Sequence, residues 1–251
     1  MLTANFIAVD QDLAANDVHL WHAHLRLPDA ELARLHRLLN EQEQQRASRF
    51  KVPAAREQFV ASHGFLRLLL AQYLGTAPED LQFATGEHGK PMLASSLNLK
   101  FNLSHTDGMA AVAISLQHEI GVDVERIRSD INVFELANRF FSSAEAEWLR
   151  AQPETEQTRA FYLCWTAKEA YIKACGTGLS MPLDRFSLIP SAVPQKKLTL
   201  QTSDDPSEPD RWSIWQIGML PEFCCAIAVQ APEATVQVKK WEWNYSVNMG
   251  R

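Results

Sequence analysis

One pattern occurs twice in these 251 residues and restricts the fold more than anything else in them. An amphipathic helical segment runs into Gly-Thr (Gly75-Thr76; Gly176-Thr177), then a proline-bearing turn, then an Asp-plus-Phe strand (Asp80 with Phe83; Asp184 with Phe186). Each half later carries a small-residue apolar strand. The match rests on a few positions, but it predicts an α+β chain of two similar halves with its site at the seam, the kind of cleft where ligands commonly bind.

The segment Trp165-Thr-Ala-Lys168-Glu169-Ala-Tyr-Ile-Lys173 reads as helix. Residues four apart share a face, so Glu169 lies one turn from both Trp165 and Lys173. Leu163, Ala167, Ala170, Tyr171 and Ala174 form the opposite apolar stripe. Taken alone, a Glu and a Lys at this spacing describe a solvated helix. Ile120-Gly-Val-Asp-Val-Glu125 changes that reading. As a strand it packs Ile120, Val122 and Val124 on one face and projects Asp123 and Glu125 from the other, beside Gly121, which leaves room for close approach. Two carboxylates so near raise one pKa unless a cation compensates, and hard oxygen ligands suit Mg²⁺ or Mn²⁺.

The formal net charge of -6 offers no broad attraction to nucleic acid or anionic lipid, so a phosphate-bearing ligand needs a local basic cluster. Arg46, Arg49, Lys51 and Arg56 supply one, interrupted by a break at Pro53 and followed by a periodic helix from Phe59 to Leu74 that Gly75 caps. Lys90 stands on a Gly-Lys-Pro corner within the turn-rich stretch from Thr85 to Pro91, where a positioned lysine can serve an anion. Ser104-His105 is expected at a turn. Adjacent side chains rarely point at each other and no nucleophile elbow surrounds the pair, which argues against a catalytic serine.

Val18 to Leu25 reads as a strand with His22 and His24 on one face, but no third ligand follows nearby to complete a metal site. Four cysteines without Cys-x-x-Cys spacing read as reduced, packed thiols. Met1 to Asp12 lacks a basic start followed by an apolar run, and no long uncharged apolar stretch occurs, so a cytoplasmic chain is expected. Further expectations are a helix opened by Pro28-Asp29-Ala30 and running to about Leu39, a helix at Ile131 to Phe141, an N-cap at Ser142, and strands at Met109 to Ser115, Leu183 to Ile189, Trp212 to Ile217 and Phe223 to Val229. Val193 to Asp210 is read as hairpin and turns, and Thr235 to Trp243 as an edge strand.

With these segments placed, the chain resembles the Sfp-type 4′-phosphopantetheinyl transferases. The resemblance rests on Arg46-Ala-Ser-Arg49-Phe50, Gly89-Lys90-Pro91, Phe101-Asn-Leu-Ser104-His105, Gly121-Val-Asp123-Val-Glu125, Arg139-Phe-Phe-Ser142 and Trp165 to Lys173, in the family's order and spacing. It implies a pseudo-dimer within one chain, halves at 1–117 and 118–251, acting as a monomer with coenzyme A in the cleft and Mg²⁺ on its pyrophosphate. By the same resemblance Asp123, Glu125 and Glu169 are the metal carboxylates, and Arg46, Arg56, Lys90 and His105 meet the 3′-phosphate and its surroundings. The backbone around Ser104 helps hold the diphosphate, and Lys168 holds the α-phosphate or orients Glu169. Glu169 is expected as the base and Lys173 as the group that stabilises or protonates the leaving phosphate. The partner implied is a transient apo acyl or peptidyl carrier protein, with no nucleic acid and no membrane. One position departs from the pattern: close relatives often carry a lysine just before Arg46, where this chain has Glu43. A phosphohydrolase would use the same groups but needs a residue to orient water, and a non-catalytic binding module is expected to have lost Glu169 or Lys173; neither mark is seen.

Overall fold

A computed structural model describes residues 13–86, 89–94, 99–189, 197–202 and 204–243. The expectations for Met1 to Asp12, and parts of those for Thr85 to Pro91 and Val193 to Asp210, lie outside the described residues.

The first half runs β1 (Asp17–His24), α1 (Asp29–Leu38), α2 (Glu41–Ser48), α3 (Pro53–Leu74), β2 (Phe83–Thr85), β3 (Pro91–Leu93), β4 (Lys100–Thr106) and β5 (Met109–Ser115). The second runs β6 (Ile120–Arg126), α4 (Val133–Phe140), α5 (Ser143–Arg150), α6 (Glu154–Cys175), β7 (Phe186–Leu188), β8 (Lys197–Leu198), β9 (Leu200–Thr202), β10 (Ser213–Ile217), β11 (Phe223–Val229) and β12 (Thr235–Lys240). Among the described residues, beside the two-stranded pairs β2-β3 and β7-β9, two four-stranded sheets form, ordered β12-β1-β5-β4 and β6-β11-β10-β8. They share a core in which Val18, Leu20 and Met109 of the first meet Val122, Val124 and Ile227 of the second. The long helix of each half covers the other face of its own sheet: α3 packs on Val112 and Ile114, α6 on Ala226 and Ala228. The fold is α+β.

The two halves repeat more than the sequence discloses. Helices α3 and α6 are both 22 residues long, and both end at a glycine with positive φ, Gly75 at 62° and Gly176 at 70°. At the matching position each buries a cation, Arg67 and Lys168. Arg67 Nε donates to Glu43 at 2.8 Å and Lys168 Nζ to Glu145 at 2.6 Å. Each of these glutamates closes the capping box of the preceding short helix, with Asn40 on α2 and Ser142 on α5. Each cation also lies over a phenylalanine ring, Arg67 on Phe83 at 5.1 Å and Lys168 on Phe186 at 4.1 Å. Glu43 therefore caps α2 and neutralises Arg67.

The seam lies between β4 and β6, which belong to different sheets. Three β4 side chains serve three β6 amides: Asn102 Oδ1 accepts from Val122 N at 2.9 Å, Ser104 Oγ from Val124 N at 3.3 Å, and Thr106 Oγ1 from Arg126 N at 3.2 Å. Ser104 and His105 thus sit within a strand, and the turn falls at Gly108, whose φ of 82° suits glycine. This corrects the expected turn at Ser104-His105.

Gly121 sets how close α6 comes to β6. A Cβ there would stand 2.1 Å from the carbonyl oxygen of Ala170 and 2.4 Å from the amide nitrogen of Ala174. Those are backbone atoms that no rotamer change can move aside. Gly121→Ala is expected to destabilise the fold by about 1–3 kcal/mol, read as a lowered urea midpoint, because it overpacks a fixed contact. An unchanged midpoint would mean that α6 slides without cost.

Strand β12 pairs in parallel with β1 at the outer edge of the first sheet. The edge position agrees with the expectation, but the strand joins the sheet of the opposite half. The cysteines are free; Cys164, Cys224 and Cys225 are buried. Among the described residues no helix is long and apolar enough to cross a membrane.

Candidate active site

A cleft of about 610 Å³ opens at the seam. Strand β6 brings Asp123 and Glu125 to it because its other face is committed to the shared core. Helix α6 brings Trp165, Glu169 and Lys173, its partly exposed stripe at a spacing of four. Strand β4 adds Ser104 and His105. The Gly121 contact holds the helical and strand-borne groups against one another.

Asp123 is buried, and its Oδ1 accepts from Lys173 Nζ at 2.6 Å and from Ser104 Oγ at 2.9 Å. Its Oδ2 is buried with no partner among the described residues. Glu125 Oε2 accepts from Thr106 Oγ1 at 3.1 Å. Burial and the charge of Asp123 push the Glu125 carboxyl up to about 7, Glu169 adding to the effect while Thr106 and Lys173 oppose it. Glu169 is raised above the usual glutamate value by burial and by Asp123. Burial works against the Lys173 ammonium, yet Asp123, Glu169 and Glu125 together raise its pKa. Three carboxylates thus face one ammonium, and the surplus of negative charge appears as carboxyls that resist ionisation.

The donor set is all oxygen, with one buried carboxylate oxygen unpartnered, which fits a hard divalent cation. Among the described residues no three carboxylate, imidazole or thiol groups converge closely enough to hold a metal as they stand. Lys173 lies against Asp123 instead.

The first half brings His105 to the cleft and carries Arg46 and Arg56 outside its lining. His105 Nδ1 is 3.2 Å from Gln58 Nε2 on α3. Partial burial and the neighbouring His63, Lys173 and Arg46 push the His105 imidazole down to about 4, so at neutral pH the ring is uncharged. Nitrogen-detected NMR is expected to find His105 neutral at about pH 6, where a free imidazole is mostly protonated. Added inorganic pyrophosphate should raise its pKa by cancelling that repulsion. A ring titrating normally in the free protein would contradict this crowding. Arg46, at the end of α2, is exposed with its guanidinium 5.2 Å from the Phe59 ring centre, and Arg56 is exposed in the first turn of α3.

Four expected residues are not among those lining the cleft: Arg46 and Arg56 stand exposed outside it, and two others are engaged elsewhere. Lys168 is fully buried on the far side of α6, where its ammonium donates to both oxygens of Glu145 and to the Phe186 carbonyl. It therefore contacts neither a ligand in the cleft nor Glu169. Its neighbours at four residues, Cys164 and Ile172, are both buried, so the helical period already placed it on a packed face. Lys90 Nζ donates to Glu119 at 3.1 Å, to the Ile120 carbonyl at 3.0 Å and to the Ala174 carbonyl at 3.3 Å. In this arrangement it ties the end of α6 to the start of β6 rather than facing an anion.

Sequence reasoning missed the apolar wall of the cleft, Phe140, Met181, Pro182 and Leu183 around Trp165. Phe140 and Trp165 meet edge to face at 5.7 Å. It also missed Thr106, whose only sequence signal was its period-two relation to Ser104.

A family model described as 4′-phosphopantetheinyl transferase superfamily matches residues 119–228, and one described as 4′-phosphopantetheinyl transferase, N-terminal, matches residues 26–117. The 4′-phosphopantetheinyl transferase HetI of Nostoc sp. is 34% identical over 234 residues, covering 92% of this chain and 94% of that protein. The 4′-phosphopantetheinyl transferase Sfp of Bacillus subtilis is 35% identical over 182 residues, covering 68% of this chain and 80% of that one. Similarity to these transferases over most of the chain defines a group-transferring enzyme. The chain belongs to the 4′-phosphopantetheinyl transferase family.

Proposed function

We propose that this chain transfers the 4′-phosphopantetheine arm of coenzyme A to a serine of an apo acyl or peptidyl carrier protein of fatty acid, polyketide or nonribosomal peptide synthesis, releasing 3′,5′-ADP. The observation that carries the reading is the meeting of Asp123 and Glu125 with Glu169 and Lys173 across the Gly121 contact, in a cleft flanked by Arg46 and His105. Asp123, Glu125 and Glu169 would hold Mg²⁺, which when bound supplies Lewis-acid stabilisation of phosphate charge.

Glu169 takes the serine proton, directly or through water. The serine oxygen bonds to the β-phosphorus of coenzyme A as the bond to the leaving 3′,5′-ADP oxygen breaks. Lys173 stabilises or protonates that oxygen, its ammonium form secured by the surrounding carboxylates. Arg46, Arg56 and His105 bind the 3′-phosphate side, His105 as a neutral donor until the anion arrives. Ser104 supports the diphosphate, and the apolar wall around Trp165 excludes water and accepts the arm. Exposed apolar and basic groups near α4 form the dock for an acidic carrier.

The halves divide at 1–117 and 118–251, with β12 returned to the first sheet. The enzyme works as a monomer in the cytoplasm, without nucleic acid or membrane.

Mass spectrometry of an apo carrier incubated with the protein, coenzyme A and Mg²⁺ tests this. A gain of about 340 Da that disappears with EDTA is expected for metal-assisted transfer of one arm. No gain on carriers from several pathways, with coenzyme A bound, would sink it. Lys173→Ala is expected to lose turnover while coenzyme A binding is largely kept; a pure binding defect would remove Lys173 from the chemistry.

A further inference from the structure

We infer that Thr106 is a positioning residue for Glu125, setting which carboxylate oxygen the cleft receives; the inference rests on the proposed function and extends it. Glu125 has reason to leave the cleft. Asp123 shares its face of β6 and Glu169 adds negative charge, so repulsion and side-chain entropy both favour a swing toward solvent. The Thr106 hydroxyl opposes that swing through its 3.1 Å bond to Oε2.

The direction of that hydroxyl proton is fixed by the seam. The Arg126 amide donates to Thr106 Oγ1 at 3.2 Å and so claims a lone pair, leaving the O–H to point to the carboxylate. The branched Cβ restricts χ1 and keeps the oxygen in place. Ser104 repeats the device one step along β4: its Oγ accepts from Val124 N at 3.3 Å and from Lys173 Nζ at 3.1 Å, and donates to Asp123 Oδ1. The two hydroxyls join the halves and aim one carboxylate each. With Oε2 engaged by Thr106, Glu125 Oε1 is the oxygen offered to a cation.

Thr106→Val keeps the shape and removes the hydroxyl, whereas Thr106→Ser keeps the hydroxyl. The probe is Mn²⁺ alone, its binding read from the relaxation of solvent water protons. Thr106→Val should weaken Mn²⁺ binding by about ten-fold, as loss of a hydrogen-bond partner to a metal ligand commonly does. It should lower kcat for transfer comparably, with KM for coenzyme A within about two-fold of the unaltered protein. Thr106→Ser should restore both. Unchanged Mn²⁺ affinity in Thr106→Val, or Thr106→Ser as impaired as Thr106→Val, would overturn the inference. If Thr106→Val lowers the urea midpoint, a cycle with Glu125→Gln decides: in that background Thr106→Val should cost no further Mn²⁺ affinity, and a full further loss overturns the assignment. Absence of transfer by the unaltered protein would overturn the transferase reading, while the Mn²⁺ titrations judge Thr106 separately.

Discussion

Glu145→Ala is expected to lower the unfolding free energy by about 3–5 kcal/mol at neutral pH, read from urea unfolding, because it strands a charge in the interior. Both Glu145 and Lys168 side chains have no exposed surface. The carboxylate accepts from Lys168 through both oxygens, at 2.8 and 2.6 Å, and also from the Leu188 amide at 2.7 Å and the Ser142 amide at 2.9 Å. Alanine leaves the ammonium with one carbonyl partner and frees two amides. The pair need not be stabilising relative to an apolar replacement, since two charges lost their hydration when it formed. Glu145→Gln with Lys168→Met should therefore recover part of the loss, the single amide oxygen serving one of the two backbone amides that Oε1 and Oε2 of Glu145 serve. Stability of Glu145→Ala within about 1 kcal/mol of the unaltered protein would mean that water reaches the pair.

Glu169→Gln is expected to reduce kcat for transfer by about 10²–10⁴-fold with the urea midpoint unchanged, the range for loss of a general base. Glutamine matches the volume and keeps an oxygen, but it cannot take a proton and removes one of the negative charges around Lys173. The Lys173 ammonium then loses part of the field that raises its pKa, so the acid role weakens along with the base. A variant with normal kcat and a raised KM for coenzyme A would reduce Glu169 to a binding group.

Much of the geometry was legible because it follows from short-range periods. Alternation placed Asp123 and Glu125 on one face of β6, and a spacing of four placed Trp165, Glu169 and Lys173 on one face of α6. Gly121 was readable as a point of close approach, though not that Ala170 and Ala174 were what approached. Lys168 shows where a motif misleads: adjacency to Glu169 in sequence is a turn of about 100° on a helix, which sends the two side chains to different surroundings. Its partner Glu145 is 23 residues away, and no local pattern reports such a pair. The same holds for Lys90 and the Ala174 carbonyl, 84 residues apart, and for Thr106 with Glu125. Ser104 and His105 were misplaced because polar residues near Gly108 resemble a turn; in fact the polar side chains of β4 replace the missing ladder to β6.

The parallel pairing of β12 with β1 has a consequence for how the chain is made. Thr235 Oγ1 donates to Asp17 Oδ1 across 218 positions, and Trp243 Nε1 donates to the His24 carbonyl. A chain leaving the ribosome N-terminus first exposes the outer edge of its first sheet until β12 emerges to cover it. Such distant closure slows folding relative to neighbour pairing. During that interval an unpaired β1 edge is open to any other extended segment, so the nascent protein should be most prone to misassociation before β12 has emerged.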